Sequence, residues 1–294
     1  MASTPSDPSG GDGPASGVAA RQEPGGAPPE ALTSERLDAV PGVLGRIARE
    51  RAAAYASYPT GGPRPSGRPA SGSFAEALRG TGVAVIAEVK RASPSQGAIN
   101  DVDPVTTARA YVAGGAAAVS VLTEPNHFGG ALSHLAAVSE AVRAPTLRKD
   151  FVVHPAQVLE ARTHGASAVL LIVAVLGEAL GDYLGYARAL GLDALVEVHD
   201  ERELDLAVGA QATLIGVNNR DLRTLSIDSS TAPRLIARGR ASGHEALWVA
   251  ESGYDSADAV AALRGLAHAV LIGTGLVRHD DPATAVRALV AAGA

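Results

Sequence analysis

The sequence predicts a single (β/α)8 barrel preceded by an N-terminal helical extension and a disordered N-terminal tail. Three observations predict it. Eight short runs of Val, Leu, Ile and Ala follow one another from Val83 onward, unbroken by polar alternation, as strands buried on both faces require. Helix-like stretches separate the runs, and such alternation implies a parallel sheet with crossover helices. Ionisable and amide residues gather where the runs end, which in a barrel is the C-terminal mouth that carries the active site. An open doubly wound sheet is the competing architecture. It would place a Gly-rich phosphate turn after the first strand, where Glu88-Val89-Lys90 stands instead.

Composition sets the outer limits. The 294 residues carry a formal net charge of −6, with 46% hydrophobic, 19% charged and 3% aromatic residues. With no cysteine there is no disulfide framework, no Cys-ligated zinc or iron–sulfur site and no thiolate nucleophile. A mildly acidic balance argues against nucleic acid or an anionic membrane as partner. No apolar run approaches the roughly 18 residues that a membrane-spanning helix needs. The basic residues divide unevenly: of the 25, 23 are Arg and two are Lys, Lys90 and Lys149.

Taken in order, residues 1–35 read as tail, 36–80 as helical extension and 81–294 as barrel. Met1 to Glu30 holds six Pro and six Gly, and Val18 is its only large aliphatic residue besides Met1. Such a stretch buries too little apolar area to offset its ordering entropy. It has no apolar core of a secretory signal and only Arg21 as a basic residue, so a cytoplasmic location is expected. Val40, Val43, Leu44, Ile47, Ala54 and Tyr55 recur at the spacing of one helix face, predicting a helix over Val40–Tyr58. Pro59 to Gly72 is loop by its Pro, Gly and Ser content, and a short helix begins near Phe74. The strands are expected at Val83–Val89, Ala117–Leu122, Pro145–Leu147, Ala168–Val173, Ala194–Val198, Thr213–Val217, Leu247–Ala250 and Ala269–Ile272. Helices are expected at Asp103–Val112, Pro155–His164, Glu178–Leu190, Asp200–Val208, Asp255–Leu263 and Pro282–Ala292. Several end at a glycine, which takes the left-handed position past a helix at little cost.

The polar residues at the run ends are the functional candidates. Glu88 and Lys90 lie two apart on one strand and share a face, so they either pair with each other or divide acid, base and anion-holding duties. Arg148 and Lys149 are adjacent and point to opposite faces, one toward the barrel and one toward the helices. Glu197 either partners a lysine or stands beside a reacting carbon. Thr123-Glu124, Asn218-Asn219-Arg220 and Glu251-Ser252-Gly253 complete the ring. Gly253 and Gly273-Thr274-Gly275 follow the last two strands, where backbone N–H groups cradle phosphate in many barrel enzymes. The eight histidines show neither HxH nor HExxH spacing, and His199 near the mouth reads as a structural, hydrogen-bonded side chain. With no Walker loop or dinucleotide fingerprint either, neither metal nor cofactor is expected.

Several of these segments resemble the indole-3-glycerol phosphate synthase family. The likeness lies in Ile86–Gly97 (IAEVKRASPSQG), Ser120–Glu124 with Phe128-Gly129-Gly130, Leu147–Phe151 (LRKDF) and Leu170–Leu176. It continues through Val196–Asp200, Gly216–Leu222 and Glu251-Ser252-Gly253, and covers the chain from about Val40 to its end. The resemblance implies a (β/α)8 barrel of tryptophan biosynthesis with a helical segment over the mouth, formed by the Val40–Tyr58 and Phe74 helices. It implies a carboxy-lyase that converts 1-(2-carboxyphenylamino)-1-deoxyribulose 5-phosphate to indole-3-glycerol phosphate, CO2 and water. By the same resemblance Lys149 is the general acid of ring closure. Lys90 holds the substrate carboxylate and serves the later dehydration. Glu88 and Glu197 stabilise cationic intermediates and take a proton, in an order left open. Asn218 and Arg220 position the substrate, and Glu251 and Ser252 support its hydroxyls. Ser95, Gly253, Gly273 and Thr274 hold the phosphate. The expected partner is a phosphorylated small molecule, and the expected state a monomer, with a weak dimer as the alternative. Two other readings compete. A barrel like phosphoribosylanthranilate isomerase is associated with a Cys/Asp pair, and this chain has no cysteine. An inactive scaffold would have lost one of Glu88, Lys90, Lys149, Glu197 or Asn218, and all five are present.

Overall fold

A computed structural model describes residues 26–63, 71–93, 97–98, 103–277 and 279–294. Eight parallel strands close into a barrel: β1 Ala84–Val89, β2 Ala118–Leu122, β3 Thr146–Lys149, β4 Ala168–Ile172, β5 Asp193–Val198, β6 Leu214–Asn218, β7 Leu247–Glu251 and β8 Ala269–Ile272. β1 pairs with both β2 and β8, which seals the ring. Alternate residues face inward, as the period of a strand demands. Ile86, Ala118, Leu147, Leu170, Leu195, Leu214, Val249 and Leu271 fill the interior. Val85, Val119, Val169, Val196, Ile215 and Val270 pack against the surrounding helices. No helix among the described residues is long and apolar enough to cross a membrane.

The extension differs from the sequence expectation in two ways. The mouth-covering part is two helices, α1 Ser34–Asp38 and α2 Gly42–Tyr55, separated at Ala39–Pro41. Proline cannot donate a backbone hydrogen bond, so the chain breaks there and restarts. Gly42 lies at φ +67°, and a Cβ there would come within 2.5 Å of the Arg223 carbonyl, so only glycine lets α2 dock this closely on the loop after β6. The second difference is α3, Phe74–Ala77. It is not over the mouth but at the opposite end of the barrel. Asp193, the first residue of β5, accepts hydrogen bonds from Ser73 Oγ at 2.8 Å and the Ala75 N–H at 2.9 Å. Phe74 and Leu78, wholly buried, plug the barrel floor. The extension thus clamps the barrel from both ends.

Helical order also begins earlier than residue 36. Thr33 caps α1, and the Leu32 N–H donates to the Val153 carbonyl at 2.9 Å, which holds residues just before α1 against the barrel. Residues 1–25 of the expected tail lie outside the described residues. Two helices without a sequence prediction complete the outer layer, α4 Leu132–Ala141 and α5 Thr231–Ala241. Pro233 sits in the first turn of α5, where a missing N–H costs nothing. Gly239 lies under the Trp248 ring, where a Cβ would collide.

Candidate active site

Strand register places the polar side chains in one layer at the mouth. Glu197 pairs in register with Ile172, Asn218 with Glu251, Leu122 with Lys149, and Glu88 with Ser120. β3 runs two residues past its apolar stretch, through Arg148 and Lys149. The strand alternation then sends Lys149 into the mouth and Arg148 into the helix layer.

Lys149 Nζ donates to Glu197 Oε2 at 3.0 Å and to Glu251 Oε2 at 3.3 Å. Its side chain is 14% exposed and that of Glu197 is fully buried. Burial alone would lower the Lys149 pKa, but the charges of Glu197, Glu251 and Glu88 outweigh it and hold the proton on firmly. Glu197 lies well below the usual carboxylate range: burial opposes ionisation, and Lys149 and His199 overcome it. Glu251 moves the other way. Burial, aided by the Glu197 charge and opposed by Lys149, pushes its carboxyl up to about 8. At neutral pH the trio is therefore an ammonium, a carboxylate and a neutral acid, with no net charge.

His199 stands behind this trio. Its Nδ1 lies 2.9 Å from Glu203 Oε2 and its Nε2 lies 3.2 Å from Glu197 Oε1. Burial disfavours its charge, but the carboxylates of Glu197 and Glu203 carry its pKa up to about 10. It is thus the hydrogen-bonded structural histidine expected, with the added effect of fixing Glu197.

Glu88 and Lys90 form an ion pair at 2.6 Å. Its room comes from Gly273: a Cβ there would lie 2.5 Å from Glu88 Oε1 and 3.1 Å from Lys90 Nζ. Gly216 does the same for Glu251, whose Oε1 occupies the space of the missing side chain. Asn218 Oδ1 accepts the Arg220 N–H at 3.0 Å, and Arg220 Nη1 donates to the Leu225 carbonyl at 3.0 Å, so this loop is braced by its own side chains. Ser252 and Gly253 both take positive φ, +66° and +87°, an uncommon conformation for serine. The Asn219 amide holds this turn through the Ser252 carbonyl at 2.9 Å.

Together these groups line a cavity of about 260 Å³. Glu88, Lys90, Lys149, Glu197, Asn218, Arg220, Glu251, Ser252, Gly253, Gly273 and Thr274 all border it. Ser95 lies outside the described residues. The opposite wall is apolar: Leu44 and Ile47 from α2, with Phe128 and Phe151, whose rings sit 5.9 Å apart. Phe128 is fixed because Glu124 caps its short helix, accepting the N–H groups of Asn126, His127 and Phe128. Sequence reading assigned this wall no part in the site. Leu44 and Ile47 were visible as a helix face, and both phenylalanines stand inside quoted motifs, but what they face is a tertiary fact. Among the described residues no group of three or more His, Cys, Asp or Glu side chains could hold a metal.

Comparison with known proteins adds independent evidence. The family model described as indole-3-glycerol phosphate synthase matches residues 64–289. An indole-3-glycerol phosphate synthase of Deinococcus radiodurans is 54% identical over 263 residues, covering 87% of this chain and 97% of its own. That of Mycolicibacterium vanbaalenii is 53% identical over 221 residues, covering 74% and 80%. Indole-3-glycerol phosphate synthase 2 of Streptomyces coelicolor is 52% identical over 225 residues, covering 76% and 86%. The crystal structure of KGPDC from Streptococcus mutans shares the fold at 12% identity, with a TM-score of 0.54 over 72% of this chain and 97% of that one. Matched over most of its length by the family model and by relatives more than half identical to it, the chain belongs to the indole-3-glycerol phosphate synthase family.

Proposed function

We propose that the mouth carries out the family reaction on 1-(2-carboxyphenylamino)-1-deoxyribulose 5-phosphate, with Lys149 as the acid of ring closure. The observation that carries this reading is the Lys149 ammonium, held at 3.0 and 3.3 Å by two carboxyl groups at the edge of the cavity. Ring closure needs a proton on the ketone oxygen as the aromatic carbon attacks. A lysine kept charged by its neighbours holds that proton ready, and the growing alkoxide supplies the basicity to draw it off.

The carboxylate-bearing ring fits the wall of Leu44, Ile47, Phe128 and Phe151, with Lys90 as the cation that faces its carboxylate. Loss of CO2 restores electrons to the ring system. Departure of the hydroxyl then needs an acid, and return of aromaticity needs a base. Lys90 serves the first. Glu197 and Glu88 are the carboxylates available for the second, and Glu197 is kept ionised by Lys149 and His199. Glu251, in the neutral state its burial favours, can hydrogen-bond a substrate hydroxyl beside Ser252. Asn218 and Arg220 brace the loop over the sugar chain. Ser252, Gly253, Gly273 and Thr274 border one part of the cavity, and we assign the phosphate to the backbone groups there. Ser95 is assigned to the same phosphate on sequence grounds.

Kinetics of Lys149→Arg test the central assignment. The variant keeps the charge but loses a compact, acid-capable ammonium. It is expected to lose about 10²- to 10⁴-fold in kcat with little change in KM, the range of a lost general acid. Turnover near that of the parent would remove Lys149 from this role.

A further inference from the structure

The side chains of both chain neighbours of Lys149 enter one buried network. Asp150 Oδ2 accepts from Arg51 Nη2 at 2.8 Å, Thr123 Oγ1 at 2.7 Å and Arg148 Nη2 at 3.0 Å. Its Oδ1 accepts the Phe151 N–H at 2.8 Å. Arg148, fully buried, also donates to Glu160 Oε2 at 3.0 Å and to the Tyr55 hydroxyl at 3.2 Å. Two guanidinium groups thus face two carboxylates. Balance matters here, because a buried charge left without its partner is strongly unfavourable.

Thr123 closes the geometry. While its hydroxyl binds Asp150, its backbone N–H donates to the Lys149 carbonyl at 3.0 Å. The backbone on both sides of Lys149 is therefore tied to the network, and the Lys149 side chain is the lever that projects from it. Arg51 is the cation that reaches this cluster from α2, the helix that also walls the cavity.

We propose that Arg51 is a positioning residue for Lys149: by clamping Asp150 it fixes the end of β3 and so holds Nζ between Glu197 and Glu251. This rests on the acid role given to Lys149 above. Without Arg51 the network keeps Arg148 against Asp150 and Glu160, one negative charge in excess. Asp150 must then shift or admit water, and the backbone of Lys149 moves with it. Displacement of a reacting group by about 1 Å can cost on the order of 100-fold in rate. A helix that merely covered the cavity would behave differently, because its loosening weakens substrate binding and raises KM.

The experiment compares Arg51→Met and Arg51→Lys in the full chain with the parent and with Lys149→Arg. Arg51→Met is expected to lower kcat about 10- to 100-fold, the usual scale for a residue that orients a reacting group through one intermediate, with KM within about threefold. The alkaline limb of the kcat profile, set by Glu251 near pH 8, should move to higher pH, because an ammonium seated less closely beside Glu251 favours its ionised form less. Arg51→Lys, which restores the charge, should recover most of both effects. A kcat within about threefold of the parent, a loss confined to KM, or an unmoved alkaline limb would overturn the proposal. If Arg51→Met fails to fold, Thr123→Val decides by the same kcat and pH criteria, since it removes a hydrogen bond to Asp150 without orphaning a charge. Lys149→Arg separates the two readings: parental turnover in that variant refutes the acid role itself, whatever Arg51 does.

Discussion

Glu251 and Glu197 are the same residue type a few ångströms from the same ammonium, yet burial and mutual repulsion drive their protonation apart. Two close carboxyls rarely both ionise, and here Glu197 keeps the charge because His199 supports it as well. This makes a pH prediction. Glu251 gains its charge as pH rises through about 8, and a charged Glu251 competes with Glu197 for Lys149 and withdraws a hydrogen-bond donor from the cavity. Activity should therefore fall through that region. Glu251→Gln, which keeps the neutral shape at every pH, should abolish that step in the kcat profile. If the step persists unchanged, it belongs to another group. The lysine count acquires a meaning at this scale. Arg serves nearly every basic position, while Lys90 and Lys149, the only two lysines, both face the cavity. A guanidinium does not give up a proton in proteins, whereas an ammonium can.

The strands and their glycines show how an element serves a site it does not touch chemically. Gly216 in β6 carries no functional group, but its missing side chain is where Glu251 Oε1 lies. Gly216→Ala should push Glu251 off Lys149, lowering kcat about tenfold or more with a smaller change in KM. Overpacking should also destabilise the fold by about 1–3 kcal/mol, read from denaturant unfolding. An unaffected kcat would show that Glu251 has room to move. The eight apolar strands were legible in sequence because each is buried on both faces and so reads as an unbroken run. The apolar run ends at Leu147, two residues before β3 does, for the converse reason. Arg148 is a strand residue buried in the helix layer, and its charge is satisfied by Asp150 just past the strand and by Glu160 and Tyr55 on two helices. Periodicity cannot see such partners. The place of α3 was hidden in the same way: nothing local distinguishes a helix that plugs the floor from one that covers the mouth, and its partner Asp193 is more than 100 residues away.

For the whole molecule, the N-terminal extension divides into parts that should behave differently. Arg36 donates to the carbonyls of Val175 and Ala174 at 2.9 and 2.7 Å, and Leu37 is buried against the mouth. Residues 1–25 have the composition of a segment with little to bury. Removing 1–25 is expected to leave kcat and Tm unchanged. Removing everything through Asp38 should lower both, by loss of these anchors and of the capping chain. Equal effects of the two deletions would contradict this division. The polar ring at the mouth was legible because ionisable residues follow apolar runs, whereas the apolar wall opposite was not, since its residues come from α2 and from loops that only the closed barrel brings together. The most direct test of the proposed reaction is to incubate the purified full chain with 1-(2-carboxyphenylamino)-1-deoxyribulose 5-phosphate and follow indole fluorescence together with CO2. The expected result is an indole product with one CO2 per substrate consumed, and no product from Lys149→Met. Intact substrate after prolonged incubation with folded protein, or equal conversion by that variant, would contradict it.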